Sequence, residues 1–245
     1  MTIISILNHK GGTGKTTTTV NLGKALAIQK KKVLIIDIDS QSNLSQHVGV
    51  EEPEITVYET LCKNEELPII DLGGNLHIVP ANLELAGADD ELRKNVNGYF
   101  KLKTALGIVK DQYDYVLIDC PPSLDILTIN ALIASYEVII PTQSQYFSIK
   151  GLQTIFELIE ELKQNLNPGL KIKGILLTQV NNTVINKTIQ ETVQEGYGDM
   201  VFNTFIRQNI ALTEASFNNQ TIFDYNEKSQ GAEDYMNLSK EILHG

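Results

Sequence analysis

At 245 residues, with 42% hydrophobic and 20% charged content, the chain has an ordinary globular make-up and enough length for a sizeable core. A net charge of −10 excludes a surface coated in phosphate-binding lysines, although it leaves room for a local basic patch. Two cysteines, Cys62 and Cys120, exclude a disulfide scaffold, and there is neither a secretory leader pattern nor a run of about 18 apolar residues. The expectation is a cytoplasmic protein with no membrane span.

In chain order, Thr2 to Leu7 is short and β-branched and reads as a buried strand. The loop Lys10-Gly11-Gly12-Thr13-Gly14-Lys15-Thr16-Thr17 follows, and then a helical pattern from Thr18 to Gln29. Lys30, Lys31 and Lys32 separate that helix from a second apolar strand, Val33 to Asp39, which ends in the carboxylates Asp37 and Asp39. A polar segment runs from Ser40 to Ser45, and a short helix is expected around Ile55 to Cys62 within weakly patterned, acidic sequence. Leu76 to Pro80 reads as a strand and Tyr99 to Lys110 as a helix. Tyr115 to Asp119 is a third apolar strand, closed by Pro121 and Pro122. A helix from Ser123 to Ala134 leads into a strand from Glu137 to Pro141. Ser148 to Leu166 is the longest helix, stopped by Asn167-Pro168-Gly169. Strands are expected at Ile172 to Leu177 and Met200 to Ile206, with helices at Asn186 to Gln194 and Glu233 to Leu243. Strands alternate with helices, and most strands are apolar throughout. That pattern specifies one α/β domain over residues 1–245, with a mainly parallel central sheet covered by helices on both faces.

The glycine-rich loop between strand and helix is a phosphate cradle. Its glycines let successive N–H groups of Gly11, Gly12, Thr13 and Gly14 turn inward, and the helix start adds positive potential. In such a loop Lys15 neutralises the β- and γ-phosphates of ATP, and Thr16, followed by Thr17, supplies a hydroxyl for Mg²⁺. A phosphate loop commonly has glycine five residues before Gly14; here His9 stands there, followed by a second lysine, Lys10. Ligands of such sheets bind at the carboxyl ends of the strands, where Asp37, Asp39 and Asp119 fall. Asp119 is the expected acid on the metal side, and Asp39 is placed to orient the attacking water and to reach a metal-bound water. Asp37 is assigned a structural or outer role. His9, His47, His77 and His244 show no metal spacing, and the cysteines show no cluster-ligand spacing.

The loop from Lys10 to Thr17, the strand end Asp37-Ile38-Asp39 with Gln41 and Asn43, and the run Tyr113 to Leu124 resemble the ParA/MinD family of deviant Walker-A P-loop ATPases. Thr128 to Leu132 and Leu212-Thr213-Glu214-Ala215 extend the resemblance to the Soj-like ParA partition branch. The resemblance implies a homodimer formed on ATP, with Lys10 reaching across to the partner copy's phosphates and Asn181 contacting adenine. It implies slow, partner-stimulated ATP hydrolysis, a centromere-binding or cargo-adaptor protein as partner, and segregation of a plasmid, chromosome or other large cargo. It also implies non-specific DNA binding in the ATP state, hence nucleoid association. The short stretch before the loop implies no N-terminal DNA-binding extension. Two departures stand out. Asp39-Ser40-Gln41-Ser42-Asn43 lacks the family's proline and glycine, and Thr183, Gln208 and Ala211 stand where DNA-coating members carry arginines. Lys171, Lys173, Lys187 and Arg207 are the remaining candidates for a DNA-facing patch. The alternatives are a MinD-like membrane-associated ATPase, disfavoured by a C-terminal stretch whose only Lys or Arg is Lys240, and a nucleotide-dependent adaptor that does not bind DNA.

Overall fold

The structure is a computed structural model that describes residues 1–143 and 148–244. The first strand, β1 (Thr2–Ile6), feeds the phosphate loop, and α1 (Lys15–Ile28) leaves it. That helix begins three residues before the Thr18 start expected from the pattern, so Lys15 and Thr16 lie in its first turn. Gly14, at φ 87, makes the earlier start possible: the chain enters the helix through a left-handed residue, where a side chain would be strained.

Next come β2 (Val33–Asp37), α2 (Asn43–His47), β3 (Ile70–Asp71), β4 (Leu76–Val79), α3 (Ala88–Arg93), α4 (Lys101–Ile108) and β5 (Tyr115–Asp119). The remainder is α5 (Ile126–Ala134), β6 (Glu137–Gln143), α6 (Ser148–Asn165), β7 (Lys171–Thr178), α7 (Val184–Tyr197), α8 (Ile210–Phe217), α9 (Ile222–Asn226) and α10 (Gln230–His244). The helix expected around Ile55 to Cys62 is a short turn that widens into a π-turn at Glu59–Lys63. Its start is closed by the Glu59 carboxylate, which accepts from Thr56 N at 2.8 Å and Thr56 Oγ1 at 3.1 Å.

The strand order is β3-β4-β2-β5-β1-β6-β7, parallel except for β3. Each inner strand divides its side chains between two cores. Leu34 and Ile36 face a core closed by α3 to α7 through residues such as Leu92, Leu102, Leu132, Leu152 and Ile189. Val33 and Ile35 face a second core, closed by α1, α2 and α8 to α10 through Leu22, Leu26, Leu44, Ala215 and Leu238. Burial on both faces is what makes the strands apolar throughout.

The expected strand from Met200 to Ile206 is not continuous. The segment runs beside β7 with isolated bridges at Ile175–Val201 and Val180–Arg207. Between them the amides of Asn203 and Thr204 donate to the Glu241 carboxylate at 2.7 and 2.9 Å, which takes them out of the ladder.

Candidate nucleotide site

Register brings the acids together. Asp37 pairs with Asp119 on the adjacent parallel strand, and Ile6, at the end of β1, pairs with Asp119 on its other side. The phosphate loop therefore springs from the strand beside both carboxylates. Asp119 is fully buried and is held by the loop: Thr16 Oγ1 donates to its Oδ2 at 2.7 Å, and Thr19 Oγ1 to its Oδ1 at 3.4 Å. Burial, and then the neighbouring Asp37, push its carboxyl up to about 8. Asp37 is pushed up to about 6 by burial, against the bonds it accepts from Ser45 Oγ at 2.7 Å and from the amides of Ser45 and Asp39. Those bonds fasten the start of α2 to the end of β2, which is a structural task. Asp39, two residues on, lies in the open cleft, with Oδ1 accepting from Gln41 N at 3.0 Å.

That cleft, about 610 Å³, is lined by Gly11, Gly12, Gly14, Lys15, Thr16 and Thr17 on one side. Asp39, Gln41, Asn43 and Pro122 line the other, and Gln179 and Phe217 stand at its edge. Lys15 is 8% exposed and donates through Nζ to Lys10 O at 3.2 Å, so its charge lies within the loop. The Lys10 amide donates to Asn8 Oδ1 at 3.0 Å, and Asn8 is itself tied to Pro141 O at 2.7 Å. His9 packs its ring against the backbone of α6, where a methyl group on Gly151 would stand 2.3 Å from Cε1. Its Nδ1 is buried without a partner among the described residues, and burial together with Lys10 and Lys15 lowers its pKa, favouring the neutral ring.

The pairing of a hydroxyl with a desolvated carboxylate at the foot of the loop fits Mg²⁺. That hard cation takes few protein oxygens and completes its shell with water and substrate phosphate. Among the described residues no group of three or more His, Cys, Asp and Glu forms a metal cage.

One expected site residue lies elsewhere. Asn181 lines a separate recess with Lys187, Phe205 and Ile210. Its Oδ1 accepts from Thr183 N and Oγ1 at 3.2 and 2.7 Å, and its Nδ2 donates to Gln208 Oε1 at 3.3 Å. Gln208 lines both that recess and a lobe of about 360 Å³ that opens beside Gly14 and Thr17. Pattern reading missed Gln143, Thr178 and Gln179, whose side chains bond to the loop's carbonyls. Their signal in the sequence was only their position at strand ends.

The four expected DNA-facing cations are dispersed. Lys171 starts β7 and Lys173 pairs with Glu137 at 3.5 Å, whereas Lys187 and Arg207 lie at the other end of that strand, about 20 Å away. Arg207 is committed to α10: Nε donates to Asp234 Oδ1 at 2.9 Å and an Nη to Glu233 at 2.7 Å. Asp234 is 5% exposed, so Arg207→Ala would strand a buried carboxylate. The expected loss is about 2 kcal/mol, below that of a wholly buried pair because the guanidinium is partly solvated. Urea unfolding would read it, and Asp234→Asn added to Arg207→Ala should recover much of the loss.

Residues 1–172 match the family model described as an AAA domain. The sporulation initiation inhibitor protein Soj of Bacillus subtilis is 42% identical over 98% of this chain and 97% of its own length. A chromosome partitioning protein ParA of Myxococcus xanthus is 39% identical over 98% of this chain and 87% of its own. Among solved structures, a cobyrinic acid a,c-diamide synthase of Mycobacterium smegmatis with bound ATP analog and magnesium superposes with a TM-score of 0.89. It is 30% identical, over 100% of this chain and 95% of that one. A phosphate loop on β1, an acid at the end of β5 and likeness along nearly the whole chain agree, and the chain belongs to the ParA/MinD family of P-loop ATPases, in its Soj-like branch.

Proposed function

We propose that this protein is an ATP-hydrolysing switch that dimerises around ATP and positions a chromosome, a plasmid or another large cargo. The observation that carries the reading is the Thr16–Asp119 bond at 2.7 Å beneath a glycine-rich loop, with Asp39 across the same cleft. Residues 1–245 act as one domain around it. Lys15 would leave Lys10 O for the β- and γ-phosphates, and the loop amides would take the remaining phosphate oxygens. Thr16 and Asp119 would hold Mg²⁺, with Asp39 reaching a metal-bound water; bound there, the ion supplies charge neutralisation of the transferred phosphoryl group. Asp39 would orient the attacking water. Lys10 would enter the partner copy's site, so that charge stabilisation waits on assembly. Turnover would be slow until a centromere-binding or cargo-adaptor protein arrives.

The relatives' names support chromosome partitioning as the setting, and binding to DNA would place the protein on the nucleoid. Among the described residues no helix is long and apolar enough to cross a membrane. The last helix, α10, buries Tyr235, Leu238 and Ile242 against the α1 side of the sheet, which disfavours its use as a membrane anchor.

For DNA, the dispersal of the cations leaves Lys187 as the contact at the nucleotide end. One Lys187 from each copy of a dimer neutralises about two phosphates, so affinity should fall about tenfold between ~50 and ~200 mM salt. The test measures binding to unrelated duplexes with ATP, with ADP and without nucleotide. Binding with ATP alone, lost in Lys187→Glu, is expected. No ATP-dependent binding at ~50 mM salt would remove DNA as the matrix and leave the nucleotide switch standing.

A further inference from the structure

The phosphate loop is oriented from outside itself. In a trans peptide the C=O and the following N–H point in opposite directions, so a donor that holds a carbonyl also aims the next amide. Gly12 O accepts from Gln143 Nε2 at 2.6 Å and from Gln179 Nε2 at 2.9 Å. Thr13 O accepts from Thr178 Oγ1 at 2.9 Å. Donors from the ends of β6 and β7 thereby hold two successive carbonyls and direct the amides of Thr13 and Gly14 to the opposite side, available to phosphate. A peptide beside glycine turns easily, so these side-chain donors are what hold the Gly12–Thr13 peptide plane.

Gln179 has a second peculiarity. Its φ is 53, in the left-handed region that disfavours a side chain and that glycine adopts freely. It lies between the lobes, lining both the main cleft and the one beside Gly14 and Thr17. A strained residue at such a place is expected where its side chain serves the site.

We propose that Gln143 and Gln179 are positioning residues, a paired amide latch on the Gly12 carbonyl that presets the loop for the polyphosphate of a nucleotide. The latch acts through backbone amides, with neither glutamine needed to touch the reacting atoms. This inference rests on the phosphate-loop reading, and the experiment separates the two.

Affinities for ADP with Mg²⁺, and for adenosine, are measured by calorimetry, together with the Tm of the nucleotide-free protein. The double variant Gln143→Met and Gln179→Met should lose roughly tenfold in ADP affinity, the loss of two ordinary hydrogen bonds, while adenosine binds as to the wild type. Gln179→Gly alone should lose a few-fold in ADP affinity, yet raise the Tm by about 2 °C, because the strain leaves with the side chain. A Tm that falls along with affinity would make Gln179 a structural residue and overturn the latch, as would a double variant within twofold of wild type for ADP. Lys15→Ala is the reference. If it loses ADP while the latch variants do not, the latch alone fails; if it too binds ADP normally, the phosphate-loop reading fails with it.

Discussion

Asp39→Ala protein is expected to bind ATP about as well as the wild type, to release phosphate at least ~100-fold more slowly, and to accumulate as an ATP-bound dimer. A group that orients or deprotonates the attacking water is worth about 10²- to 10⁴-fold in rate, and Asp39 is the carboxylate of this site that stands in open cleft. Asp37, two residues earlier, is consumed by Ser45 and by the Asp39 amide, and Asp119 by Thr16 and Thr19. Affinity should survive because the phosphate contacts belong to the loop from Gly11 to Thr17. Phosphate release and size-exclusion chromatography in ATP would measure both halves. Hydrolysis at the wild-type rate would assign the water to another residue.

Lys10→Ala should have the opposite signature: no ATP-dependent dimer and no measurable hydrolysis, with a monomer that still binds ADP. A cation supplied from a second molecule to a transferring phosphoryl group is worth about 10³- to 10⁵-fold. Mixing Lys10→Ala with Asp39→Ala protein supplies the decisive pattern. If the lysine acts across the interface, the mixed dimer completes one of its two sites. A lysine working within its own chain cannot produce that asymmetry, and a Lys10→Ala protein that dimerises normally on ATP would sink the trans role.

The sequence made the sheet legible because its inner strands are buried twice. Val33 to Asp37 and Val116 to Asp119 have no solvent face, so composition alone marks them and their terminal acids. The phosphate loop was legible for a different reason: its chemistry is local, with glycines, lysine and hydroxyl within eight residues. What pattern reading lost was non-local. Strand β3 is two exposed residues, Ile70 and Asp71, with no hydrophobic period to detect. The break in the Met200 to Ile206 segment depends on Glu241, a distant residue on α10. The helix α8 carried a readable signal, Asn209 capping Ala211 N at 2.9 Å, which its short, unpatterned run obscured. Dispersal of the cations was equally invisible: Lys171 and Lys187 are near in sequence, but a strand carries one to the far end of the sheet.

The contact between His9 and Gly151 bears on how such a chain can vary. A methyl group at residue 151 would stand 2.3 Å from His9 Cε1, so a side chain there requires the His9 ring or α6 to shift. An imidazole at residue 9 therefore disfavours a side chain at residue 151, and a smaller residue 9 would make room for one. A ring thus stands where a phosphate loop commonly has glycine, and glycine stands opposite it on α6.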